Sequence, residues 1–191
     1  MTTKEQQAIE HEDSYIKAYE DIALLKKDIM RPVRMELEVM KPEIYLRHFN
    51  VTDTVVCFGS ARVREEKDAS AKLKSAKEAL AKDPSDKNLQ NRVYEAEGLA
   101  KLSKYYDEAR KFAKIVVQHA GDRFAVVTGG GPGLMEAANR GAFENGGRSI
   151  GMNITLPHEQ HPNPYITKNL AFLFHYFAIR KLHLVMRAKA F

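Results

Sequence analysis

The stretch from Phe124 to Glu144 limits the possible folds more than any other part of this sequence. Phe124-Ala125-Val126-Val127 is a short apolar run, as a strand buried on both faces requires. It passes through Thr128 straight into Gly129-Gly130-Gly131-Pro132-Gly133, and a helical pattern follows over about Leu134–Glu144. Asn145-Gly146-Gly147 then supplies the punctuation expected at a helix C-terminus. A strand that feeds a helix through glycines must be buried between parallel neighbours.

Those neighbours are present. Thr54-Val55-Val56-Cys57-Phe58 predicts another buried strand, ending at Gly59-Ser60-Ala61-Arg62. Ser149–Ile154 predicts a third, and Leu170–Phe174 a further short one after a proline-rich loop over Leu156–Asn169. Helices are expected over 69–82 and 86–118, broken near Asp83-Pro84-Ser85. In the longer one Leu89, Val93, Ala96, Leu99, Leu102, Tyr106, Ala109, Phe112 and Val116 trace one apolar face. The lysine-rich segment 72–87 suits a solvated surface. A last helix spans His175 to Ala188 and carries Arg180 and Lys181 near its middle. The order of elements predicts an α/β, Rossmann-like domain over 51–191, its parallel sheet flanked by helices. Residues 1–50 are expected to form an N-terminal helical arm: an amphipathic helix over 4–30, limited by Pro32 and punctuated again by Pro42.

Charge narrows the partners. The net charge is +5, yet residues 121–191 hold 8 Lys/Arg against only 4 Asp/Glu. That excess surrounds the glycines, which suits a local anion site better than a basic stripe for nucleic acid. No apolar run approaches the ~20 residues of a membrane helix, and the polar N-terminus lacks a signal-peptide core. With Cys57 the single cysteine, no internal disulfide is possible and a cytoplasmic setting is expected. Cys57 itself lies within a strand and is expected to pack, not react.

Glycines between a strand and a helix let the backbone approach an anion and aim N–H groups at it. The helix dipole adds only ~0.3–1 kcal/mol when exposed, so charged help is required, and Arg180 and Lys181 are the candidates. Valine at Gly130 or Gly131 should then weaken nucleotide binding far more than it lowers stability. The pattern excludes other loops. Read as G-x-G-x-x-G from Gly129, it puts Leu134 where the last glycine belongs. The following strand ends in Asn153 and Thr155, with no acid for a ribose, which counts against a dinucleotide oxidoreductase. Gly-Lys occurs nowhere, so there is no Walker-type loop. His158-Glu159-Gln160-His161 fails H-E-x-x-H spacing because Pro162 stands where the second histidine belongs, so no metal site is expected. His175 and His183 suit packing or surface positions.

Val127-Thr128-Gly129-Gly130-Gly131-Pro132-Gly133-Leu134-Met135-Glu136-Ala137-Ala138 resembles the first signature of the lonely-guy (LOG) family, a group that also carries the name lysine decarboxylase. Phe58-Gly59-Ser60-Ala61-Arg62 resembles its first strand-loop, and Phe177-Ala178-Ile179-Arg180-Lys181 its Arg-Lys helix. The resemblance runs in consistent order from about Leu46 to Phe191. It implies a modified Rossmann fold and a homodimer or higher homo-oligomer. The implied activity is hydrolysis of the N-glycosidic bond of nucleoside 5′-monophosphates (AMP or a cytokinin nucleotide), with no metal or cofactor. Gly129, Gly130, Gly131 and Gly133 would hold the phosphate, with Ser60 and Met135 beside the nucleotide. Arg180 would be the catalytic arginine and Lys181 its neighbour.

The family's second signature, P-G-G-x-G-T-x-x-E, supplies its catalytic glutamate, and no Pro-Gly-Gly occurs in this sequence. The sequence is therefore expected to be part of a longer chain. A non-catalytic nucleotide- or molybdenum-cofactor-binding protein of the same fold is the alternative. A true lysine decarboxylase would need pyridoxal phosphate, an aldimine lysine and an acid for the pyridine nitrogen. Lys181 finds no such partner.

Overall fold

The computed structural model describes residues 3–156 and 161–191. The chain divides into two compact units, Met1–Lys41 and Pro42–Phe191.

In the first unit the expected single helix over 4–30 is replaced by short pieces. These are α1 (Lys4–Glu10), α2 (Ile22–Lys26), two 3-10 turns at Asp13–Tyr15 and Asp28–Met30, and the start of α3 (Arg31–His48). The cause is visible in the side chains. Thr3 and Gln6 form a capping box at α1, and Asp21 accepts the N–H of Leu24 at 2.8 Å to start α2. Capping residues inside an apolar pattern offer the backbone partners that compete with a continuous helix. Ile9, Tyr15, Tyr19 and Ile22 are all more than half exposed, so no buried face drives propagation. The Arg34 side chain donates to the carbonyls of Leu25 and Lys27 at 2.6 and 2.7 Å, tying off the end of α2. Pro32 sits in the first turn of α3, where a missing N–H costs nothing. Pro42, expected to punctuate, lies inside that helix and is buried.

The second unit is built on five parallel strands: β1 (Asp53–Cys57), β2 (Phe124–Thr128), β3 (Ser149–Ile154), β4 (Ala171–Phe174) and β5 (Ala188–Ala190). They lie in the order β4-β3-β2-β1-β5, so the chain steps outward from β1 to β4 and returns on the far side of β1. This is the expected α/β, Rossmann-like architecture. The helices are α4 (Glu66–Lys82), α5 (Lys87–Leu102), α6 (Lys104–Ala120), α7 (Leu134–Phe143) and α8 (Phe177–Met186).

Strand alternation divides the core. Val56, Val127, Ile150, Met152, Phe172 and Phe174 join Leu46, Leu170 and Leu184 in one buried cluster. Val126 joins Ala113, Val117, Ala138 and Ala142 of α6 and α7 in another. The small residues bring α6 and α7 close together: a Cβ on Gly141 would collide with the Arg110 carbonyl. The single helix expected over 86–118 is in fact two, α5 and α6, parted at Ser103. Its hydroxyl donates to the Ala100 carbonyl at 2.7 Å, and the residue is buried. A side chain bonding back to the preceding turn weakens helix continuity. As a result α5 packs beside α4, while α6 covers β2 and α7. No helix among the described residues is long and apolar enough to cross a membrane.

Candidate functional site

The glycine loop leaves the carboxyl end of β2, between the ends of β1 and β3. Beneath it lies a buried polar network. Asn139, in the middle of α7 and fully buried, accepts from the Thr128 hydroxyl at 2.6 Å and from the Asn163 amide at 2.9 Å. Its own amide donates to Ser149 Oγ at 2.8 Å and to the Ile150 carbonyl at 3.2 Å. All four hydrogen-bonding positions of that carboxamide are thus filled. Asn163 continues the network upward, its backbone N–H donating to the Gly130 carbonyl at 2.9 Å and its amide to the Gly131 carbonyl at 3.1 Å. The loop is therefore held from below by Thr128 and Asn139, and from the side by Asn163.

Asn139 and Asn163 were missed by sequence reasoning. The signal for Asn139 was an amide among alanines on a helix face otherwise suited to burial, Ala137-Ala138-Asn139 with Ala142. Asn163 offered only a turn signal, its Oδ1 accepting the Tyr165 N–H at 3.1 Å, because its partners in the network lie 32 and 24 positions away.

Three glycines of the loop, Gly129, Gly130 and Gly133, are required first by the protein's own atoms. Gly133 has φ +77° and touches the backbone of Ser60 and Ala61, where a Cβ would not fit. The N–H of Leu134 donates to the Ser60 carbonyl at 3.1 Å. Gly130 has φ +74°, and a Cβ there would strike the carboxamide of Asn153. Its N–H donates to Thr128 Oγ1 at 2.9 Å. A Cβ on Gly129 would lie 2.6 Å from an Arg180 nitrogen and 2.9 Å from Met135 Sδ. All four glycines are buried. Two of the N–H groups expected to face a ligand, those of Gly130 and Leu134, are already bonded internally. The expectation that valine at Gly130 would spare stability is corrected accordingly, since a positive φ and a collision both oppose it.

Arg180 from α8 reaches over Gly129, and its Nε donates to the Met152 carbonyl at 2.6 Å. The side chain is half-buried, and burial pulls its pKa below the usual value without discharging a guanidinium at ordinary pH. Among the described residues no carboxylate pairs with it. An arginine that is desolvated, oriented by a backbone carbonyl and lacking a counter-charge is suited to an incoming anion. Met135 lies beside it over Gly129. Ser60 is exposed on the β1 loop, its hydroxyl accepting the Arg62 N–H at 3.2 Å. The structure therefore gathers the glycines, Ser60, Met135 and Arg180 at one sheet edge, whereas Lys181, the next residue of α8, is exposed to solvent.

A cavity of about 360 Å³ opens beside Ser60, lined by Arg62, Tyr94, Gly98 and Leu99 of the β1 loop and α5. Burial pushes the Cys57 thiol up to about 11, so it is protonated and unreactive. His183 is buried against the Phe174 ring. No group of three metal-ligating side chains occurs among the described residues. The His158-Glu159-Gln160 segment lies outside the described residues.

Comparison with curated proteins gives no significant match. Residues 98–175, less than half of the chain, match the SLOG cluster4 family. That span runs from the end of α5 to the end of β4, and it contains the glycine loop, α7, Asn139, Asn153 and Asn163. The β1 loop with Ser60 and the α8 pair Arg180-Lys181 lie outside it. This chain is thus similar to SLOG cluster4 proteins over the segment that builds the floor of the site.

Proposed function

We propose that this protein binds a nucleoside 5′-monophosphate at the edge formed by the glycine loop and α8, and that it belongs to N-glycosidic phosphoribohydrolase chemistry. The observation that carries the reading is the half-buried Arg180 lying on Gly129, with no carboxylate partner among the described residues. The SLOG cluster4 match supports a nucleotide-related function for the segment containing the loop. Arg180 supplies the charge that the dipole of α7 alone does not, and Met135 and Ser60 flank the space beside it.

Cleavage of a ribosyl–base bond builds oxocarbenium-like charge on the sugar, which a carboxylate stabilises while it activates water. The carboxylate nearest to the loop in sequence, Glu136, accepts the buried Tyr106 hydroxyl at 2.9 Å and is engaged in helix packing. The described residues bind and orient, and the carboxylate step has no candidate among them. Residues 1–191 are therefore expected to bind nucleoside monophosphates weakly and to release negligible base.

The test is titration calorimetry with AMP, adenosine and inorganic phosphate, alongside chromatography for free adenine. AMP should bind more tightly than adenosine, and phosphate should compete with it. Equal affinity for AMP and adenosine would remove the phosphate from the reading. Robust adenine release by this chain would overturn the assignment of the missing carboxylate.

A further inference from the structure

The carboxyl end of β3 carries a polar group that the loop's own architecture does not use. Asn153 is partly exposed, and its carboxamide lies against the α-carbon of Gly130. Unlike those of Asn139 and Asn163, its side chain makes no hydrogen bond to any described residue. The amides below and beside the loop are saturated by protein partners, whereas the Asn153 carboxamide has none among the described residues.

Its place in the topology has a chemical meaning. In the dinucleotide-binding βαβ unit, an acid about 20 residues past the glycines, at the end of the next strand, binds the ribose hydroxyls. Here β2, the glycine loop, α7 and β3 form such a unit, and Asn153 stands 20 positions beyond Gly133 near the end of β3. The missing acid argues against a dinucleotide, but the position is occupied by a group that can do the same work. A carboxamide offers one acceptor and one donor side by side, which matches a hydroxyl that both gives and takes a hydrogen bond. It does so without charge. A carboxylate there would repel a phosphate dianion on the loop and compete for Arg180, which has no carboxylate partner among the described residues.

We propose that Asn153 is the ribose-reading residue of this site, hydrogen-bonding the 2′-hydroxyl of the nucleotide and selecting ribonucleotides over 2′-deoxyribonucleotides. The inference rests on the reading of the glycine loop and Arg180 as a nucleotide phosphate site. It adds the sugar specificity and the residue responsible for it.

The experiment compares AMP, 2′-deoxyAMP and inorganic phosphate as ligands of the full chain and of Asn153→Ala. The wild type should prefer AMP over 2′-deoxyAMP by about tenfold, the worth of one net hydrogen bond. Asn153→Ala should bind both nucleotides at the 2′-deoxyAMP level, with phosphate affinity unchanged. Equal weakening of AMP and 2′-deoxyAMP in the variant would show that Asn153 only supports Gly130, and would overturn the inference. A wild type that binds phosphate yet does not distinguish the sugars would overturn it too, leaving the phosphate reading intact. Failure to bind phosphate or either nucleotide would overturn both. Should the variant not fold, the Asn153 side-chain amide resonances of the wild type decide. A larger shift with AMP than with 2′-deoxyAMP supports the assignment, and identical shifts remove it.

Discussion

The proposed site draws its charge from one side chain, Arg180. A guanidinium with its Nε fixed on the Met152 carbonyl presents the rest of its planar fork in a set direction. Arg180→Ala is expected to weaken AMP binding about ten- to a hundredfold, the range for a charge-assisted hydrogen bond. Arg180→Lys should not restore it, because a lysine keeps the charge but loses the fork and the carbonyl anchor. Near wild-type affinity in both variants, measured by calorimetry, would reduce Arg180 to a packing residue. Asn139 tests a different property. With all four of its hydrogen bonds buried, Asn139→Ala should lower stability by roughly 2–4 kcal/mol, read from urea midpoints. It should also loosen the loop, through Thr128 and Asn163, more than any exposed substitution does.

At the scale of elements, the contact between α6 and α7 decides how closely the loop-bearing helix sits on the sheet. A glycine inside a helix ordinarily gains about 0.5–1 kcal/mol on change to alanine. Gly98 in α5, whose added Cβ would meet nothing within 4 Å, is expected to follow that rule. Gly141 in α7 should reverse it, because its Cβ would strike the Arg110 carbonyl. Thermal melts of Gly98→Ala and Gly141→Ala should therefore move in opposite directions. The same two helices are tied by a charge network in which Arg110 and Arg140 both bond Glu144, with Arg140 reaching Glu65 at 3.2 Å. Burial pushes the Glu144 carboxyl up, but the hydrogen bonds and charges of Arg140 and Arg110 together outweigh it and hold the carboxyl below its usual range.

Across the second unit as a whole, an ion pair joins residues at opposite ends of that unit's sequence. Arg187, just before β5, donates to both Glu43 oxygens, at 2.5 and 2.7 Å, and its Nε to the Val51 carbonyl at 3.1 Å. That bidentate bond is the main reason the Glu43 carboxyl titrates below its usual 4.5. The folded state therefore holds the Glu43 proton less tightly than the unfolded chain. Its contribution is complete above the unfolded value of 4.5 and is lost as pH falls through the lower folded value. Denaturation midpoints should drop through that acid range, and Glu43→Gln should flatten the drop while lowering stability at neutral pH. A slope unchanged in the variant would assign the acid sensitivity to other carboxylates, Glu144 first among them.

The sequence by itself determined four of the five strands, their order and the glycine loop, because those depend on neighbours, whereas β5 begins at Ala188, where the sequence still read as the end of a helix. Val126-Val127 before Gly129, and Ala137-Ala138 after Gly133, are local patterns whose periodicity needs no distant partner to be meaningful. Arg180 was legible for a related reason, a cation pair on a helix in an acid-poor segment. What the sequence left open depends on burial and on long-range partners. The helix expected over 4–30 breaks up because its apolar residues find no core, and apolar spacing alone does not reveal that. The break at Ser103 follows from α5 and α6 packing on different neighbours. Only the tertiary structure showed that the glycines accommodate Ser60, Arg180 and Asn153 before any ligand. It also showed that Asn139 and Asn163 hold the loop, and that the Asn153 carboxamide has no partner among the described residues. A glycine's φ can be guessed from its neighbours, but the atom that would meet its missing side chain comes from another part of the chain, and only folding brings it there.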